Sequence, residues 1–350
     1  VIDFEELDLE QLVVHKIGNK MRDEGIEVSE QSHDLIEPGM KEVLLKFFLR
    51  PFREDNYYQF THEGELDLNE VYFYTKKVFS DNREFYNESI RILKHLYEKS
   101  NHPNIKSGEF YMAYFRDHSL SGKKRDVIGV FKTENRDTYL KVNRSDANFI
   151  IQQEKGINID KLDKGCLIIN DEIQDGFKVL IVDASAKSQN KEAHYWKNSF
   201  LNLKEIVDEQ YTTNAFLKIC NSFSASLKAN QPQDAEINET IRFNHSTLEY
   251  FEQNDSCSVN DFLDRVFDNE EMKDNFVDYK ARYEEKNHIL PIENFNIEPA
   301  TVVKLKKKFM NTIKLDTGFE LKVTDNRYLE KGYDSEKGMS FYKIFFHEES

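Results

Sequence analysis

Five apolar, β-prone runs crowd into one stretch of the chain, at residues 110–116, 126–133, 148–153, 164–170 and 177–183, and no helix-length segment separates most of them. That spacing restricts the fold more than any other feature. A parallel strand pair needs a crossover of about a dozen residues or more, commonly a helix, whereas antiparallel neighbours close through short turns. The links here carry turn signals, Ser121-Gly122-Lys123-Lys124 and Gln174-Asp175-Gly176 among them. A mostly antiparallel sheet is predicted.

Helical periodicity brackets this region. Val43, Leu44, Phe47 and Phe48 recur at helical spacing within 41–52, with Pro51 near the end, and 67–79 and 82–99 read as two more helices. In the last, Phe85, Ile90, Leu93, Leu96 and Tyr97 gather on one side before His102-Pro103 stops it. Residues 10–19 read as a buried strand running into a turn, and Asp34 is a candidate cap for the element after it. From Tyr195 the period is helical again through Phe223, with a bend or break expected at Thr212-Thr213 and an end at Pro232. Acidic helices follow at 236–254 and 259–286, then a basic helix at 301–313 and strands at 320–324 and 340–346. The expected fold class is α+β: a mostly antiparallel sheet with flanking helices, then a helical region ending in a small, winged-helix-like α/β piece. The expected domains are residues 1–188 and 189–350, in line with a length of 350 that exceeds a single core.

Charge decides which partners are plausible. Lys and Arg number 48 against 64 Asp and Glu, a formal net charge of −16, and such a field repels phosphates. Nucleic-acid contact in this chain therefore requires a local basic patch. The three cysteines, Cys166, Cys220 and Cys257, are far apart and form no CxxC pattern, which is the usage of a reducing compartment. No stretch approaches the ~18 apolar residues of a membrane span, and residues 1–10 are acidic without the basic and apolar regions of a signal peptide. A cytoplasmic protein with no membrane partner is expected.

The best phosphate-binding candidate is Lys304, Lys306, Lys307 and Lys308, with Lys314 beyond; no acid lies between Thr301 and Lys314. Val302, Val303, Leu305, Phe309 and Ile313 supply an apolar face, so the lysines are expected to project together towards backbone phosphates. The alternative is a solvated face answering the acidic helices before it. A second basic set is Lys123, Lys124 and Arg125 in a hairpin link, with Arg136, Lys141 and Arg144 on the next connection and Tyr139 available to stack on an unpaired base of a single strand. Loop lysines of this kind commonly serve only solubility.

Chemistry finds less support. The histidines are scattered without HExxH or HxH spacing, and there is no GxxxxGK[ST] loop or GxSxG elbow. Asp183, with Asp171 and Glu172 at the preceding strand end, would be the carboxylates of a metal-dependent nuclease, but the Glu-x-Lys half of the common motif is missing. Carboxylates capping turns account for them better. Cys166 and Cys220 sit in apolar runs and read as core, and Trp196 as a packing anchor. No catalytic residue, metal or cofactor is assigned.

Four segments carry a resemblance: Leu12-Val-Val-His-Lys-Ile-Gly-Asn-Lys20, the sheet segment ending Val179-Leu-Ile-Val-Asp-Ala-Ser185, Tyr195-Trp-Lys-Asn-Ser-Phe-Leu201, and Phe216-Leu-Lys-Ile-Cys-Asn-Ser-Phe223. In order and spacing they resemble the bacterial nucleoid-associated family of the NdpA/YejK type, from about Leu12 to the C-terminal strands. The resemblance implies a cytoplasmic, nucleoid-located protein that binds DNA or single-stranded nucleic acid with little sequence preference. It transfers no catalytic residue. Three readings follow: a non-enzymatic nucleic-acid binder using the C-terminal lysines, an acidic interaction module recruited by a DNA-bound nucleoid protein, and a metal-dependent nuclease. A homo-oligomer is compatible with each.

Overall fold

Alternation along the strands decides which way each sheet residue faces. In a computed structural model that describes residues 4–33, 37–52, 56–118, 125–145, 148–184, 195–230, 238–287, 289–323 and 328–348, Phe110, Met112 and Tyr114 enter one core while Tyr111, Ala113 and Phe115 enter another. Asp34, the candidate cap, lies outside the described residues. The chain divides into two compact units, Val1–Ile206 and Val207–Ser350.

In the first unit the strands are β1 (Leu7–Ile17), β2 (Ile26–Glu27), β3 (Tyr58–Phe60), β4 (Gly108–Asp117), β5 (Val127–Thr133), β6 (Asp137–Ser145), β7 (Asn148–Gly156), β8 (Lys164–Ile169), β9 (Lys178–Asp183) and β10 (Leu203–Glu205). The α-helices described with them are α1 (Pro38–Leu49), α2 (Glu70–Ser80) and α3 (Phe85–Lys99). Eight strands form one antiparallel sheet in the order β10-β3-β9-β8-β5-β4-β1-β2. One face packs against Val71, Val78, Phe85, Ile92 and Leu96 of α2 and α3. The other packs against Phe47 and Phe48 of α1, and Phe48 stacks on Phe131 with ring centroids 4.3 Å apart. Gly129 is required there, since a Cβ would stand 2.3 Å from the Phe131 ring.

The strand at 148–153 belongs elsewhere than the sequence suggests. It is part of β7, which among the described residues pairs only with β6, a segment expected to be a connection, and the two form a separate two-stranded ribbon. This ribbon is inserted between β5 and β8, which are hydrogen-bonded neighbours in the main sheet. Its apolar residues alternate as those of a core strand do, so periodicity alone does not separate the two cases.

The boundary also moves, from about 188 to the step between Ile206 and Val207. Tyr195, Trp196, Phe200 and Leu201 lie on a π-helical segment, Tyr195–Leu201, and bury in the core shared with Val13, Met112 and Ile168. Asn202 then takes a left-handed φ of 51° and β10 joins the sheet edge. The expected helix from 195 to 223 is therefore interrupted at 202–208, ahead of Thr212-Thr213.

The second unit contains α4 (Glu209–Asn230), α5 (Asn238–Gln253), β11 (Ser256–Ser258), α6 (Val259–Val266), α7 (Glu270–Asn287), β12 (Asn294–Asn296), α8 (Pro299–Leu305), β13 (Asn311–Lys314), β14 (Glu320–Val323), β15 (Leu329–Asp334) and β16 (Met339–Ile344). Its core is largely aromatic: Phe216, Phe223, Phe243, Phe262, Phe267 and Phe276 contact one another edge-on or tilted, except that Phe243 and Phe267 stack. The basic helix expected over 301–313 is shorter. It ends at Leu305, tightens into a 3-10 turn over Lys306–Phe309, and becomes strand β13, whose Ile313 buries with Ile241 of α5 and Val323 of β14. Burial of Ile313 against a hairpin partner overrides the helical pattern.

Candidate nucleic-acid interface

The local structure of the lysine segment follows from its N-terminal cap. The Glu298 carboxylate accepts from the backbone N–H groups of Ala300 and Thr301, at 3.3 and 2.6 Å, and Pro299 starts α8 with its φ already set. Thr301, Val302, Leu305 and Phe309 bury, and Lys304, Lys306, Lys307 and Lys308 are all left exposed by that choice of inner face. Lys314 is not on this helix; it ends β13 opposite Glu320. Lys306 is engaged by Glu252 of α5, with Nζ 2.6 Å from Oε1. An open groove of about 840 Å³ runs beside it, with His245, Glu249 and Glu252 on one wall and Val303, Lys306 and Lys307 on the other.

Charge is distributed unevenly along this unit. Residues 207–300 hold eight Lys and Arg against nineteen Asp and Glu, whereas residues 301–350 hold ten against eight. The sign reverses where the lysine segment begins.

The hairpin set is arranged differently. Lys123 and Lys124 lie outside the described residues. Arg125 turns toward the protein, with Nε 3.1 Å from Oδ2 of Asp171, and its backbone N–H donates to Asp117 at 2.8 Å. Arg136 pairs with Glu109, and Lys141 lies 3.2 Å from Glu154. The Tyr139 hydroxyl donates to the same Glu154 carboxylate at 2.7 Å. These partners are far apart in sequence or across a strand pair, so sequence alone does not reveal them. The two basic sets lie in different units.

The acidic residues considered for chemistry do not converge. Asp183 sits opposite Lys164 at one end of the β8–β9 ladder, and Asp171 follows the other end. The six-residue strand between them separates the carboxylates by roughly 16 Å or more at about 3.3 Å per residue, too far to share an ion. Asp183 is bound to Lys164 at 2.8 Å and Asp171 to Arg125. Among the described residues no group of three or more His, Cys, Asp or Glu could hold a metal. Burial raises the thiols of Cys166 and Cys257 to about 12 and that of Cys220 well above its usual value, so all three are poor nucleophiles at neutral pH. No described helix is long and apolar enough to cross a membrane.

Two features escape a reading of the sequence. Lys132 and Lys164 bury side by side at the sheet end, where they look like ordinary strand termini. The ribbon formed by β6 and β7 carries large apolar side chains into solvent. In comparison with known families, the family model described as nucleoid-associated protein YejK matches residues 13–338. No curated protein matches the chain.

Proposed function

The chain belongs to the family of the nucleoid-associated protein YejK, and from that premise we propose that it binds nucleic acid at the nucleoid through backbone phosphates, with little sequence preference and without chemistry of its own. The observation that carries this reading is the reversal of charge after Thr301, with Lys304, Lys306, Lys307 and Lys308 exposed above a buried apolar face. A net charge of −16 does not forbid it. At physiological ionic strength fields are screened over about 8 Å, so the charges nearest the phosphate dominate. Lysines act as point charges towards phosphate, and phosphate contacts carry no base readout, which suits weak sequence preference.

The test replaces all four lysines by Ala and measures retention of unrelated single- and double-stranded DNA across salt. Affinity should fall about equally for every sequence. The log-log salt slope should become shallower by up to about 3–4 for duplex, at ~0.9 for each phosphate no longer neutralised. Melting temperature should hold, because exposed changes commonly cost within about 0.5 kcal/mol each. A folded quadruple variant with unchanged affinity and slope would refute this site and favour recruitment by a DNA-bound protein.

A further inference from the structure

The ribbon of β6 and β7 has two unlike faces. Cross-strand register places Leu140 opposite Gln153, Val142 opposite Ile151, Arg144 opposite Phe149 and Thr138 opposite Lys155, all on one side. On that side Leu140, Val142, Phe149 and Ile151 are 70, 59, 73 and 66% exposed. The opposite side holds the polar contacts, Tyr139 and Lys141 with Glu154. An isolated two-stranded hairpin is marginal in water, and a contiguous exposed apolar cluster marks an interaction surface.

The base of the ribbon is firmly built. The Asp163 carboxylate accepts from the N–H groups of Glu134 and Asn135 at 2.7 and 3.1 Å and from the Asn135 side chain at 2.6 Å. Asp137 accepts from Asn158 and Lys161 at 2.7 and 3.1 Å. These contacts anchor the exit from β5 and the return to β8, so the ribbon stands as an arm with a fixed root.

We propose that this arm is a self-association element: its apolar face, through Leu140, Val142, Phe149 and Ile151, seats on the body of a second copy of the chain, and the second copy returns the contact. Charge points to that occupant. The eight residues of the apolar face include Arg144 and Lys155 but no Asp or Glu, while the chain as a whole carries −16. Among the described residues of that face the charges are Arg144 and Lys155, a sign complementary to the acidic body of another copy. Residues 137–156 hold three basic and three acidic residues, so the arm lacks the excess positive charge that phosphate binding needs.

Area selects the geometry. A nine-residue ribbon is ~30 Å long and ~10 Å wide, so two arms stacked only on each other would cover about 600 Å² in total, the size of a crystal contact. Two arms each lying on the other copy's body cover roughly 1,200 Å², the lower limit of a specific interface. Reciprocal exchange is also the closed, two-fold arrangement that avoids open polymers.

Sedimentation of the full chain over a range of concentrations tests the proposal. The unaltered protein should sediment with twice the chain mass at the upper concentrations. The variant Phe149→Ser/Ile151→Ser should sediment with one chain mass, and so should a chain in which a short Gly-Ser link replaces residues 137–156. Because β5 and β8 pair directly, the sheet should survive that replacement with little change in melting temperature; if it does not fold, the double serine variant decides alone. A single chain mass for the unaltered protein at every concentration overturns the proposal, as does a dimer that persists in a folded arm variant. An unaltered monomer whose arm variants no longer retain DNA also overturns it and assigns the arm to nucleic acid. None of these masses depends on whether the lysine segment binds phosphate.

Discussion

The ammonium of Lys164 lies 2.8 Å from the carboxylate of Asp183, and both side chains are buried where β8 and β9 begin and end their ladder. Lys132, opposite Lys164 on β5, is paired to Glu134 at 2.7 Å, and the Tyr195 ring stands 5.8 and 5.2 Å from the two ammonium groups. Burial pulls the Lys132 pKa down, and Glu134 partly restores it. Removing one member of a buried pair strands the other charge and typically costs about 3–5 kcal/mol. Asp183→Ala should therefore lose stability of that order in urea unfolding, and Lys164→Met/Asp183→Leu should recover most of it. With magnesium or manganese, the unaltered protein should leave DNA and RNA intact. Turnover that disappears in a still-folded Asp183→Ala protein would restore the nuclease reading.

His15 should give the protein an acid-sensitive range. The ring is buried, stacks on Phe110, accepts the Ser29 N–H at Nδ1 (3.1 Å) and contacts the Ser89 hydroxyl through Nε2 (3.0 Å). Ser89 already donates to the Tyr86 carbonyl, so Nε2 carries the proton and the imidazole is neutral. Desolvation lowers its pKa to about 4 from an ordinary 6.5. Between those values the unfolded chain binds a proton that the fold excludes. The stabilisation is thus complete above about pH 6.5 and is lost as pH falls toward 4, by roughly 3 kcal/mol in all. Urea midpoints measured across this range should fall with acid in the unaltered protein and more weakly in His15→Gln.

Asn69 joins three elements through one side chain. Its Oδ1 caps α2 by accepting the Tyr72 N–H at 3.1 Å, and its Nδ2 donates to the carbonyls of Thr61 and Leu201 at 3.1 and 3.0 Å. Asn69→Ala should cost about 2–4 kcal/mol, because the cap disappears and the buried Leu201 carbonyl loses its side-chain donor, while Thr61 keeps the Asn202 amide at 2.8 Å. Asn69→Asp keeps the cap but turns an anion toward those carbonyls, so it should not rescue. Full rescue by Asp would show that capping alone matters.

Glu252 should restrain nucleic-acid binding by holding Lys306. Glu252→Gln removes that competitor, so DNA retention should rise and the duplex salt slope should steepen by up to ~0.9. Unchanged retention would place Lys306 away from the bound phosphates.

Legibility follows the physics of each segment. The helices at 67–79 and 82–99 are readable because one side of each is apolar at the helical period, and the main strands because they are short apolar runs, buried on both faces, between turn signals. The break at 202–208 is not, because Phe200, Leu203 and Ile206 continue the helical spacing through a segment that pairs as an edge strand. The arm is hidden for the opposite reason: its alternation is that of a core strand, and only tertiary placement shows that Leu140 and Phe149 reach solvent. The lysine cluster is visible as composition, but the hold of Glu252 on Lys306 spans 54 residues and leaves no local trace.

Trp196, whose indole donates to the Gly165 carbonyl at 3.2 Å inside the sheet core, is the sole tryptophan of the chain. The second unit has only Phe and Tyr as its chromophores. Indole emission therefore reports the first unit alone, while far-ultraviolet dichroism reports the helices of both. Two curves that coincide mean that the units melt as one cooperative system, and two that separate give each unit its own transition. The protein carries, in one buried side chain, a built-in probe for how far its halves depend on each other.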